Sequence, residues 1–171
     1  GVPVRRVQSM LQRMVQFGLG IVGREVTQLP IVKGRYECKL STKFGDIKEG
    51  IEEIKTGVKK SRRIRISGIP MVLLDELKPL LMEKDVKIIL PLGERKPKDL
   101  EKLGEVATTK ARIYVEYNGK EANTGSVYLP DKIFNIVWLD GKILEISTME
   151  YSKCVKCMRD TFETAWRYSE K

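Results

Sequence analysis

The sequence predicts an α/β domain built on a mixed β-sheet and preceded by a helical arm. Three observations carry that expectation. From Asp46 onward, segments with helical spacing alternate with short apolar or alternating segments, the signature of strand–helix units and a parallel sheet. VKIILPL is a near-continuous apolar run of the kind buried on both faces of such a sheet. IFNIVWL and KILEIST flank Asp140-Gly141, a two-residue hairpin signal, so the later part of the sheet is antiparallel.

Taken in order, Val4 to about Arg24 reads as a helix, with Pro3 suited to its first turn. Val4, Val7, Leu11, Met14, Gly18 and Ile21 recur in alternating steps of three and four, a heptad seam. That seam fits pairing with a second copy, and it fits docking on the chain's own domain. Val4, Val7, Leu11, Met14 and Ile21 are the candidate dimerisation residues. Gly18, Gly20 and Gly23 weaken the last turns by about 1 kcal/mol each relative to alanine. Gln28 to Ser41 reads as a linker ending in a short strand, RYECKLS. The arm and linker take residues 1–32 and the α/β domain residues 33–171.

Asp46 is a natural N-cap for DIKEGIEEIKTGVKK, whose Ile47, Ile51, Ile54 and Val58 share one stripe. RRIRISG alternates as a strand, with Ile64 and Ile66 on one face. PMVLLDELKPLLMEK is a helix that starts at Pro70 and that Pro79 must kink or shorten. After VKIILPL, KPKDLEKLGEV reads as a short helix, ARIYVEY as a strand and NGKEANTGS as a polar loop. The chain closes on a helix, with Tyr151, Val155, Met158, Phe162 and Trp166 on its apolar stripe.

At 171 residues the chain suffices for one well-buried domain and an accessory element. No apolar run approaches the roughly 18 residues of a membrane helix, and no secretory signal pattern is present. Three cysteines, an odd number, argue against a disulfide scaffold and for a reducing cytoplasm. The chain begins at Gly1 rather than methionine, which leaves room for a partner domain upstream. There is no histidine. That removes histidine acid–base chemistry, Ser-His-Asp triads and histidine-ligated zinc together.

The net charge of +9, from 32 basic and 23 acidic residues, favours nucleic acid or another polyanion as partner. Dense lysine and glutamate also characterise thermophile surfaces. The densest basic run is KKSRRIR, in which Lys59, Lys60, Arg62 and Arg63 are candidate nucleic-acid contacts. The structural alternative is that these cations complement a helix C-terminus. No aromatic residue interleaves them, so base stacking finds no support. Cys154 lies at the edge of the closing helix's stripe and Cys157 outside it. Half of a zinc site shared with a symmetric copy, or a redox pair, are the alternatives to one buried and one incidental cysteine. No cofactor is expected.

Asn135 is the one strongly polar side chain in IFNIVWL, and its spacing to the turn carries a resemblance. Phospholipase D-type phosphotransferases have a His-x-Lys-x4-Asp-x6-Gly-Ser signature on two adjacent strands. Aligned on Asp140, Ile133 stands at the histidine position, Asn135 at the lysine position, and Ser147 and Thr148 at Gly-Ser. The spacing is kept and the chemistry is lost, because isoleucine can neither attack phosphorus nor hold its charge. For Asp140 the tight turn is itself a sufficient reason. With the heptad arm and the FETAW helix, the chain resembles the C-terminal effector portion of archaeal TrmB-type transcriptional regulators.

The resemblance implies a non-catalytic, phospholipase D-like domain that senses a small ligand, with Asn135, Asp140, Ser147 and Thr148 at the pocket. It implies a homodimer, and DNA as partner through a winged helix that this chain does not carry. A basic protein that binds nucleic acid through its own surface is the alternative.

Overall fold

The structure is a computed structural model that describes residues 41–91, 93–94, 96–109 and 114–171. The heptad arm, the linker, most of RYECKLS and Cys38 lie outside the described residues. Helix α1 (Ile47–Lys60) starts where expected, with the Asp46 carboxylate accepting from the Lys48 N–H at 3.0 Å. Ile54 and Val58 are fully buried against the sheet. Because that carboxylate satisfies a donor with no intrahelical partner, Asp46→Ala should cost about 1 kcal/mol in urea unfolding.

Strand β2 (Arg63–Ser67) buries Ile64 and Ile66, and pairs in parallel with β3 (Asp85–Leu90). Between them runs α2 (Met71–Leu81). Pro70 precedes the helix in extended conformation, its carbonyl accepting from the Leu73 and Leu74 N–H groups at 3.1 Å. The helix ends two residues after Pro79, which sits on its exposed side, so the proline shortens it.

Two expectations are corrected. KPKDLEKLGEV is not a helix; only Leu100–Lys102 forms one 3-10 turn, and Glu105–Thr108 is strand β4, parallel to β3. Gly104, at φ 150°, makes the switch: a Cβ there would lie 2.4 Å from the Val86 carbonyl oxygen. NGKEANTGS is not a loop. Asn118 and Gly119, at φ 50° and 75°, turn β5 (Tyr114–Tyr117) into β6 (Lys120–Tyr128), a nine-residue strand. Its polar lettering hides small residues in the sheet interior, where Ala122, Gly125, Ser126 and Val127 are buried.

The hairpin of β7 (Ile133–Leu139) and β8 (Lys142–Met149) turns through Asp140 and Gly141, at φ 49° and 75°. With β1 (Thr42–Lys43), the strand order is β1-β8-β7-β6-β2-β3-β4, β5 pairing with the first half of β6. Strands β2, β3 and β4 are parallel and the other pairings antiparallel. One core lies between the sheet and α1 and α2, around Phe134, Ile136 and Leu77. The second lies under α3 (Ser152–Tyr168), whose Val155, Met158, Phe162 and Trp166 are buried. Tyr151 stays exposed before the first turn, so the stripe begins at Cys154.

Candidate functional site

Strand pairing aligns residues that no local stretch of sequence shows together. Ser147 stands opposite Asn135, Asn135 opposite Ser126, and Ser126 opposite Ser67. These four therefore form a row across β8, β7, β6 and β2, on one face of the sheet. The Ser126 hydroxyl donates to Asn135 Oδ1 at 3.0 Å. Two residues along β6, the Tyr128 hydroxyl lies 3.2 Å from Ser67 Oγ. Ser126 and Ser147 are buried, and Asn135 and Ser67 half-buried. Burial pushes the Tyr128 phenol above its ordinary pKa, against the opposing pull of Ser67 and Ser126. The row is rich in hydroxyl and amide groups and carries no charge of its own.

Asn135 and Ser147 are thus brought together, while the other two motif residues are not. Thr148 pairs with Phe134 on the opposite face, where its buried hydroxyl finds no hydrogen-bond partner among the described residues. Asp140 sits in the exposed turn beyond the end of β7. Ile133, which the motif spacing aligns with the histidine position, is 0% exposed and packed with Tyr128, Met149 and Phe162. Ser67, Ser126 and Tyr128 join the site without standing out in the sequence. Their alternation in RIS and TGSVY is the available signal, masked because the polar lettering around the latter suits a loop. A hollow of about 380 Å³ is lined by Tyr114, Val115, Glu116, Gly119 and Glu121, none of them in the row.

Next to the row, on the same face, lies an ionic cluster. The Arg65 side chain is 7% exposed, and its Nε donates to Glu163 Oε1 at 3.1 Å. Its Nη1 donates to Asp85 Oδ1 at 2.9 Å and to the Asp85 and Ile64 carbonyl oxygens at 3.0 and 3.1 Å. Arg63 Nε reaches Asp85 Oδ2 at 2.9 Å. Lys87 Nζ lies 3.4 Å from Glu163 Oε2 and 5.3 Å from the Trp166 ring centre. The Arg65 hydrogen bond, aided by Arg63, holds the Asp85 carboxyl below its ordinary pKa. Burial raises that of Glu163, but bonding to Arg65 and Lys87 outweighs it and the net shift is downward.

Among the basic candidates, Arg63 is therefore engaged with Asp85, whereas Lys59, Lys60 and Arg62 are exposed with no ion pair among the described residues. Cys154 is buried and disulfide-bonded, which departs from the expectation of reduced cysteines. Cys157 is a free, half-buried thiol whose pKa is pushed up by burial and by Asp160. Among the described residues, no three histidine, cysteine, aspartate or glutamate groups are placed to hold a metal ion. No described helix is long and apolar enough to cross a membrane.

No protein-family model matches the chain, and no curated protein does. Solved structures do. NucT from Helicobacter pylori matches 76% of this chain and 97% of its own, at a TM-score of 0.55 and 10% identity. TrmBL2, described as an archaeal chromatin protein with a novel mode of DNA binding, matches 98% of this chain at a TM-score of 0.53 and 14% identity. This chain spans 66% of the length of TrmBL2. Nuc from Salmonella typhimurium, a phospholipase D family member, matches 70% of this chain at a TM-score of 0.41 and 10% identity. The α/β class with a mixed sheet expected from the sequence is borne out, and NucT and TrmBL2 share this fold.

Proposed function

We propose that this chain is a non-catalytic, DNA-associated protein, the sensing and pairing portion of a TrmB-like regulator. The observation that carries the reading is Ile133. A phosphotransfer nucleophile must be a polar group open to its substrate, and this position holds a fully buried aliphatic side chain. With no histidine in the chain, no imidazole can take its place. Asn135 keeps a hydrogen bond to Ser126 but brings no charge for a phosphate. The likeness to TrmBL2 over 98% of the chain supports a role at DNA, as does the net charge of +9.

In this reading, the uncharged row of Ser67, Ser126, Asn135 and Ser147 contacts a neutral small-molecule effector. The heptad seam of Val4, Val7, Leu11, Met14 and Ile21 pairs two copies. Effector binding biases DNA association by favouring one arrangement of the pair.

The test combines three measurements on the whole chain. Light scattering at micromolar concentration should give a dimer, and a monomer would overturn the pairing. Fluorescence anisotropy at low salt should show retention of a short DNA duplex. Bis(4-nitrophenyl) phosphate should not be hydrolysed above the buffer rate. Turnover of that substrate, abolished by Asp140→Ala, would overturn the non-catalytic reading.

A further inference from the structure

The corner where α1 passes into β2 concentrates basic side chains whose obvious structural use is already taken. The last turn of α1 carries Lys59 and Lys60, followed by Arg62 and Arg63. Cations in that position ordinarily answer the partial negative charge of unpaired carbonyls at a helix C-terminus. Here a different residue does so. Lys84, arriving from the turn before β3, places its ammonium 2.6 Å from the Val58 carbonyl oxygen. It lies 2.9 Å from those of Lys59 and Ser61. The Ser61 N–H closes the end by donating to the Gly57 carbonyl at 3.1 Å. Burial at this post lowers the Lys84 pKa, as expected of an ammonium turned inward.

The helix end is therefore satisfied without Lys59 or Lys60. Both side chains, and that of Arg62, are exposed and make no ion pair among the described residues. Of the two nearby acidic residues, Asp85, whose N–H donates to the Arg62 carbonyl at 3.0 Å, is shared between Arg63 and Arg65, while Glu83 is exposed and makes no ion pair among the described residues. Within 59–65 and 83–85 the basic residues are Lys59, Lys60, Arg62, Arg63, Arg65 and Lys84, and the acidic ones Glu83 and Asp85. The uncommitted charge is carried by flexible side chains, and neither stretch contains an aromatic residue. Such a surface suits phosphates along a nucleic-acid backbone and provides nothing for stacking on bases.

We infer that Lys59, Lys60 and Arg62 form a sequence-independent contact with the phosphate backbone of duplex DNA. The inference rests on the DNA-associated reading above and assigns it a surface within the α/β domain. The contact lies at the edge where β2 and β3 begin, away from the Asp140 turn.

The test is anisotropy of the full chain with two short duplexes of unrelated sequence across a salt series. A triple variant, Lys59→Gln, Lys60→Gln and Arg62→Gln, should weaken both duplexes alike. It should lower the slope of log K against log salt by about 2.7, since each phosphate left without its cation removes about 0.9. The control removes three other exposed lysines that make no ion pair among the described residues, by Lys98→Gln, Lys102→Gln and Lys120→Gln. It should leave the slope near that of the unsubstituted chain. Thermal unfolding should be unchanged in both, since none of these side chains packs in a core. Equal weakening in variant and control would overturn this surface while leaving DNA association standing. Failure of the unsubstituted chain to bind either duplex at low salt would overturn both. Weaker binding of the variant to one sequence alone would overturn the backbone assignment.

Discussion

Gly125→Ala should lower the unfolding free energy by about 3 kcal/mol or more. Gly125 lies in the middle of β6, where β2 ends against it. An added Cβ would stand 2.5 Å from the Gly68 carbonyl oxygen, 2.6 Å from its carbonyl carbon and 2.7 Å from the Ile69 nitrogen. All three are backbone atoms, so no rotamer change relieves the overlap. The two strands can only separate, which strains the adjoining Ser67–Ser126 pairing and the bond from Trp138 Nε1 to the Gly68 carbonyl, 2.8 Å long. Gly45→Ala is the matching control. A Cβ there meets nothing within 4 Å, and its effect should stay within about 0.5 kcal/mol. Urea unfolding of the two variants beside the unsubstituted chain decides the matter. Equal midpoints would show that the two backbones do not approach so closely.

Arg65→Met should cost about 2–3 kcal/mol near neutral pH, below the usual cost of breaking a fully buried pair. Methionine replaces the buried alkyl stem but none of the guanidinium's bonds. The discount comes from the partners: the Asp85 and Glu163 side chains are 50% and 40% exposed, so they rehydrate once released. The two carboxyls also set the acid response. Both have folded-state pKa values held below their ordinary values. Their contribution is complete above the unfolded carboxylate range and disappears as pH falls through the folded values. The unsubstituted chain should therefore lose stability on acidification below about pH 4 more steeply than Arg65→Met. Parallel curves of stability against pH would remove Arg65 from that role.

What can be read from the sequence follows the range of the interaction involved. The Asp46 cap, the α1 stripe and the Asp140-Gly141 turn are set by neighbours within a few residues, and each stands where the letters place it. Strand β6 misleads because its inward positions are small or hydroxylated, which looks like a loop when counted by polarity. The Asn118-Gly119 pair, a hairpin signal as good as Asp140-Gly141, is the clue that outweighs that count. KPKDLEKLGEV has helical lettering, yet Gly104 must pass so close to β3 that the chain extends instead. The polar row is hidden for another reason. Ser67 meets Ser126 only through pairing of β2 with β6, and no local pattern encodes that register. Of the motif positions, Asn135 and Ser147 face each other because one hairpin joins them, whereas the turn carries Asp140 away.

The place of β2 between a parallel and an antiparallel neighbour has a consequence for synthesis. Its partner on one side, β3, follows closely, with Ile66 meeting Ile88. On the other side Ile66 meets Val127, which leaves the ribosome far later. A nascent chain thus holds a finished β2–β3 ladder whose β2 flank stays bare after β4 has covered β3 and while β5 is still being made. Unpaired strand edges of that kind recruit other chains. Its greatest risk of self-association therefore falls during translation, in the interval before residue 128 emerges to close the gap.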